Sequence, residues 1–184
     1  MGLSIFAPCV QADPQVALTT PLGEIRVQLH ADKTETVGNF LAYISAGRFT
    51  NSFAQRLVPG FVLQGGGYTL QGATVTAVPT FPPIVNEYSV GQTRSNVFGT
   101  LAMARVGGIV NSATSQWFFN LGNNSSLDSV DGGFTVFGDV IAGAVCSRFL
   151  TPPLPPRAPA VAVFTMPVGF WVVILLRCHS SRAA

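Results

Sequence analysis

The segment QRLVPGFVLQGGG, residues 55–67, sets one arginine, Arg56, and one glutamine, Gln64, in an otherwise apolar run. A guanidinium is a lasting cation with a planar fork of N–H donors, suited to hydrogen-bonding a neutral acceptor at any ordinary pH. Little else in the chain supplies familiar catalytic groups. The histidines are His30 and His179, too few for a zinc site or a histidine-based triad, and His30 reads as the end of an alternating strand. Cys9, Cys146 and Cys178 lack metal-ligand spacing, and an odd number argues against a disulfide framework, so they read as unpaired thiols, at least one of them buried. Gly65, Gly66 and Gly67 invite comparison with a phosphate loop. No convincing helix start and no Gly-Lys-Ser/Thr follows them, so they read as a strand end that needs unusual φ or close approach.

A lone strand arginine is usually a solvated edge charge, so its position in the ladder matters. If Pro59, Gly60 and Phe61 form the hairpin loop, Val58 faces Val62 and Arg56 faces Gln64. The Gln64 carbonyl could then hold the guanidinium. Were the loop only Pro59 and Gly60, Arg56 would face Leu63 with no acceptor. A partly desolvated arginine needs one, so the first register is expected.

The elements that must carry this hairpin are short and frequent. With 19 glycines and 13 prolines in 184 residues, the chain is punctuated as many strands rather than as a few long helices. Residues 16–20 and 24–29 read as a hairpin, with Glu24, Arg26 and Gln28 outward and Ile25, Val27 and Leu29 inward. A helix follows, with Thr34 as N-cap, Val37, Phe40, Leu41 and Ile44 on one face, and Gly47 just past its end. Residues 49–67 read as two strands, 68–83 as a loop, 96–105 and 114–121 as strands, 123–133 as a polar loop and 134–141 as a strand. Residues 143–150 read as a second short helix. Met103 is expected in the core as a gap filler.

Charged residues are only 10% of the chain, net charge is +2, and Lys33 is the sole lysine. The arginines form no basic stripe, which argues against nucleic-acid binding. Residues 158–176 carry no charge, but Pro159, Pro167 and Gly169 interrupt them. They are read as core, with 171–176 as a closing strand, rather than as a membrane span. Residues 1–13 read as a truncated export leader or an apolar N-terminal tail, which favours a periplasmic or otherwise exported location over a cytoplasmic one. The expected organisation is a single domain over 14–177, then a tail over 178–184. No interface signal is visible, so a monomer is expected.

QRLVPGFVLQGGG resembles the F-H-R-[VI]-I-x-G-F-x-[IV]-Q-G-G segment of the cyclophilins, the cyclosporin-type peptidyl-prolyl cis–trans isomerases, and bacterial members in particular. The resemblance continues in order through PPIVNEY (82–88), GTLAMAR (99–105), NSATSQWFFN (111–120), Leu127-Asp128 and FTVFGDVIAG (134–143). FTMP (164–167) is similar to the family's late loop. The resemblance implies a mainly β fold, a closed eight-stranded antiparallel β-barrel capped by two helices, with the active groove on the outer surface because side chains fill the interior.

It also implies the chemistry. Rotation about a peptide bond meets a barrier of about 18–20 kcal/mol, and an X-Pro bond isomerises unaided in roughly 10–100 s. An isomerase must bind the twisted amide better than either planar form, with no cofactor or metal. By resemblance Arg56 is the catalytic arginine, donating to the prolyl nitrogen, and Gln64 supports it and touches substrate backbone. Phe61, Phe118 and Leu127, with Val62 beside them, form the proline pocket. The Arg105 backbone anchors the residue at the X-Pro bond, and Ala104 and Gln116 line the same groove. The substrates implied are proline-containing unfolded or partly folded polypeptides.

Four positions depart from the pattern. Gln55 stands for the histidine before the arginine, Phe134 for the groove histidine, and Ser126 for the tryptophan of cyclosporin-sensitive members, so weak cyclosporin binding is expected. Arg105 replaces an asparagine whose role is largely through backbone. Two other readings are a proline-binding module or holdase with little turnover, and a barrel holding an apolar ligand inside. Arg56 together with Gln64 favours the enzyme, and apolar alternation favours a filled interior.

Overall fold

A computed structural model describes residues 13–21, 23–143 and 177–180, the last four as backbone only. The first hairpin joins β1 (Gln15–Thr20) to β2 (Gly23–Leu29), with Val16 opposite Val27 and Thr20 opposite Gly23. Its alternation is as expected: Ile25, Val27 and Leu29 are buried and Glu24 and Arg26 exposed. His30 closes β2, buried, with Nε2 3.3 Å from Asp139 Oδ2.

Helix α1 (Thr34–Ser45) buries Val37, Phe40 and Tyr43, and Leu41 and Ile44 pack at the edge of the same core. Gly47 follows with φ +67°, the left-handed conformation that glycine adopts at a helix end. Thr34 is not the N-cap. That position is Lys33, which makes no side-chain cap bond. Instead the distant Glu87 carboxylate accepts from the amides of Glu35 and Thr36, at 3.1 and 2.7 Å. A buried carboxylate at a helix N-terminus satisfies orphan N–H groups and meets the positive end of the dipole. Lys33 itself is buried and donates to the backbone carbonyls of Glu87, Tyr88 and Val90. Burial pushes its ammonium below the ordinary lysine range.

The remaining strands of the main sheet are β3 (Arg56–Val58), β4 (Val62–Gly65), β7 (Thr100–Met103), β8 (Trp117–Asn120), β9 (Val136–Ala142) and β10 (Arg177–Ser180). They run antiparallel in the order β10-β1-β2-β9-β7-β8-β4-β3. Leu18 of β1 and Leu63 of β4, from opposite halves of this order, lie in one core cluster with Phe40, Phe49, Trp117, Phe119 and Phe137. The sheet therefore curls around a filled interior, to which Met103 belongs. No ladder joins β3 to β10 among the described residues, so the described sheet is open rather than a closed barrel. Residues 144–176, with the second helix and the closing strand expected there, lie outside the described residues, as do residues 1–12.

Residues 68–83 are not all loop. β5 (Tyr68–Gln71) and β6 (Thr74–Ala77) form a separate hairpin that turns at Gly72, φ +60°. All of β6 is exposed, so the short alternation of Thr74, Val75, Thr76 and Ala77 faces no core, and the Gly, Gln, Thr and Pro around it read as loop. The polar loop after β8 likewise holds two short 3-10 turns, Ser125–Asp128 and Val130–Gly132.

Candidate active site

The β3–β4 register pairs Arg56 with Gln64, Leu57 with Leu63 and Val58 with Val62, as a loop of Pro59, Gly60 and Phe61 requires. Side chains alternate across the sheet. Leu63, Leu101, Met103, Trp117 and Phe119 point into the main core, while Val62, Ala102, Phe118 and Val136 gather in a second apolar cluster on the outer face. The pairings are consistent across four strands: Gln64 lies opposite Phe118, Phe118 opposite Ala102, and Ala102 opposite Val136. A slip of one residue would turn Phe118 and Gln64 inward and dismantle the site.

On that outer face is a groove of about 220 Å³ lined by Arg56, Phe61, Val62, Gln64, Ala104, Arg105, Phe118, Leu127 and Phe134. A second hollow of about 120 Å³ adjoins it, sharing Gln64, Ala104 and Arg105 and adding Gln116. The structure thus brings together every residue that the sequence nominated. Phe134, expected at the groove histidine's position, lines the groove too, its ring meeting Phe118 edge-on at 5.8 Å.

Arg56 is exposed, its guanidinium 5.7 Å from the Phe61 ring. The expected bond to Gln64 does not form, because Gln64 is held elsewhere. Its Nε2 donates to Gln116 Oε1 at 2.8 Å, and Gln55 Nε2 donates to the same oxygen at 2.9 Å. The guanidinium is solvated at the rim and needs no internal acceptor. Gln55 fixes Gln116, Gln116 fixes Gln64, and this line of amides edges the groove. The glycines leave room for it. A Cβ on Gly67 would lie 2.9 Å from Gln55 Nε2, and one on Gly66, where φ is +79°, only 2.4 Å from the Ser115 carbonyl oxygen. These are close-approach glycines followed by a strand, not a phosphate loop.

Behind the apolar wall runs a polar chain, buried at Asn96, Asn120 and Asn124, that sequence reading missed. Asp128 Oδ1 accepts from the Asn96 backbone at 2.9 Å and its amide at 2.8 Å, and Oδ2 accepts from Ser95 Oγ. Asn96 Nδ2 also donates to the Phe134 carbonyl at 3.0 Å. Asn120 donates to Asn96, and Asn124 donates to Asn120 and to the Phe61 carbonyl, the last at 2.7 Å. Phe61, Phe134 and the Leu127–Asp128 turn are therefore tied to one network. Burial alone would raise Asp128, but the hydrogen bonds from Ser95 and Asn96 together outweigh it and hold its carboxyl below the ordinary 3.8. The spacing of these asparagines in sequence carries no periodic signal.

Arg105 lines both hollows, and its guanidinium is engaged by the 130–133 turn. Its side chain is 2% exposed, its guanidinium lies 4.2 Å over the Phe134 ring, and Nη2 donates to the carbonyls of Val130 and Asp131 at 2.7 and 3.0 Å. Nη1 forms an ion pair with Asp131 Oδ2 at 3.6 Å, and that oxygen accepts a hydrogen bond from the Gly108 backbone at 2.9 Å.

Residues 15–148 match the family described as cyclophilin type peptidyl-prolyl cis-trans isomerase/CLD. The chain is 36% identical over 148 residues to peptidyl-prolyl cis-trans isomerase A of Dickeya dadantii, covering 78% of this chain and 75% of that protein. It is 40% identical over 134 residues to peptidyl-prolyl cis-trans isomerase B of Escherichia coli, covering 70% and 78% respectively. In fold it is similar to a cyclophilin type peptidyl-prolyl cis-trans isomerase of Cryptosporidium parvum, with TM-score 0.60, 20% identity, and 92% of this chain and 99% of that one covered.

Proposed function

Because the chain belongs to the cyclophilin-type peptidyl-prolyl cis–trans isomerase family, we propose that its groove accelerates rotation about X-Pro bonds in protein substrates and so assists their folding. What supports this most is the placement of an exposed guanidinium at the rim of an apolar cup. Phe61, Val62, Phe118, Leu127 and Phe134 form the cup, Arg56 stands beside it, and Gln64 is held by Gln116 at its edge.

In this reading the proline ring enters the cup and is desolvated there. Arg56 donates to the prolyl nitrogen as that atom becomes pyramidal, which opposes amide resonance. Gln64 Oε1 takes an N–H of the substrate backbone, and the backbone at Ala104 and Arg105 fixes the residue on the far side of the bond. The rest of the substrate then rotates against a held ring, so binding is strongest where the amide is twisted. A hydrogen bond to a charged group contributes about 1.5–3 kcal/mol, or roughly 10- to 150-fold in rate. The cup must supply the remainder by orientation and water exclusion.

Exchange NMR on an Ala-Pro peptide tests this. Wild type is expected to accelerate cis–trans exchange, and Arg56→Ala to lose roughly 10- to 150-fold of that rate. Equal acceleration by both proteins would remove Arg56 from the mechanism, and peptide binding without acceleration would leave a proline-binding module.

The same proposal includes finer points. The isomerase unit spans 14–177, its sheet closed into an eight-stranded barrel and capped by a second helix near 143–150. The short segment 178–184 follows, its first residues paired with β1. Cyclosporin affinity is weak, because exposed Ser126 stands where sensitive members carry tryptophan. Clients are unfolded or partly folded chains met after export, a location that rests on residues 1–13 alone.

A further inference from the structure

Val106, Ile109, Val110 and Val130 are all strongly exposed, at 58%, 57%, 41% and 43%. Single exposed valines need no explanation, but four on two adjoining loops form a patch. Arg105 ties the two loops together. Arg105 bonds the Val130 carbonyl, Asp131 bonds both Arg105 and the Gly108 backbone, and a Cβ on Gly132 would lie 3.8 Å from Val110 Cγ1. The loop that carries the other three is itself closed, since Ser112 bonds the Val106 amide at 2.8 Å and the Ile109 carbonyl at 2.7 Å. The polar atoms of both loops are thus turned toward each other, and the aliphatic side chains are left to solvent on a fixed base.

The patch is continuous with the groove. Arg105 lines both hollows, and Val106 lines the second. An extended chain advances about 3.3–3.6 Å per residue, so a client whose proline sits in the cup reaches this shelf within a few residues. We propose that the shelf formed by Val106, Ile109, Val110 and Val130 is part of the client-binding surface and selects proline segments flanked by aliphatic side chains. The inference rests on the isomerase reading above and names its substrate class: apolar segments that a folded protein would bury, with the flanking residues held on the side of the proline that runs over Arg105.

The test uses the full chain and four peptides with one Ala-Pro core. Two carry leucines or serines at the second to fourth positions before the proline, and two carry them after it. Exchange NMR gives kcat/KM, and chemical-shift titration gives Kd. One leucine peptide is expected to exceed its serine partner by about tenfold in Kd and kcat/KM, the scale of partly burying a leucine or two. Ile109→Ser/Val110→Ser should bring that ratio close to one, and Val130→Ser, on the opposite loop, should lower it independently. Equal Kd for all four peptides, or a preference that survives both variants, would overturn the shelf. Absence of acceleration with any peptide would instead overturn the isomerase reading, while the Kd ratios would still decide the shelf.

Discussion

Asn96→Ala removes the node of the buried network behind the groove. The side chain makes three hydrogen bonds, to Asp128 at 2.8 Å, to the Phe134 carbonyl at 3.0 Å and from Asn120 at 3.2 Å. The backbone bond from Asn96 to Asp128 survives the substitution. Two neutral bonds at about 1 kcal/mol each, and one to a carboxylate at about 1.5–3, give a loss of roughly 3–5 kcal/mol. Partners left buried and unpaired keep the value from falling lower, since Asn96 and Asn120 are both fully inaccessible to solvent. That is a large part of the 5–15 kcal/mol typical of a domain. Equilibrium urea unfolding, read as midpoint times slope, measures it. On the remaining folded protein KM for an Ala-Pro peptide should rise, because Phe61, Phe134 and Leu127 lean on the same network. Asn96→Asp should cost more than Asn96→Ala, since it sets a second carboxylate against Asp128. A loss below about 1 kcal/mol with KM unchanged would refute the idea that this chain of amides holds the cup.

Three further outcomes are expected. Asp128 is held below its ordinary value in the folded state, so its contribution is complete above pH 4 or so and disappears as pH falls through the lowered value; Asp128→Asn should flatten that acid limb in urea midpoints measured from pH 6 to pH 2. Arg105→Ala unpins Phe134 and the 130–133 turn, and because this weakens binding of planar and twisted amide alike, KM should rise about tenfold with kcat within about twofold, the opposite split from Arg56→Ala. Gly66→Ala forces a side chain into φ +79° and against the Ser115 carbonyl, at a cost of about 3 kcal/mol or more, visible as a fall in Tm or loss of soluble protein.

Legibility in the sequence followed the number of faces a strand exposes. β2 has one face in the core and one in water, and its alternation was readable residue by residue. The β3–β4 register was read correctly from the length of its turn, whereas the acceptor that Arg56 was thought to need from Gln64 is not used, since the guanidinium is solvated. β8 reads Trp117, Phe118, Phe119, with all of its residues buried, so nothing in the run distinguishes Phe118 of the groove from its two core neighbours. Only the order of motifs along the chain singled it out. Asn96, Asn120 and Asn124 were illegible for another reason: buried amides look like loop residues until the fold brings them together. The N-cap of α1 misled similarly, because Glu87 lies far along the chain from the helix that it caps.

The doubly covered strands also explain where the groove can be. An interior packed with Phe40, Phe49, Trp117, Phe119 and Phe137 has no room for a polypeptide, and a client must thread across rather than enter. A surface groove, however, exposes apolar walls to water when empty. The structure limits that exposure by burying Val62, Ala102, Phe118 and Val136 against each other and leaving Phe61, Leu127 and Phe134 partly covered. Rigidity must then come from behind, through Asn96 and Asp128 on one side and Arg105 on the other. In the mechanism proposed above, in which the ring is held while the amide turns, the site depends on those supports as much as on Arg56. Substitutions at the two kinds of position should therefore separate, the supports in KM and stability and the arginine in kcat.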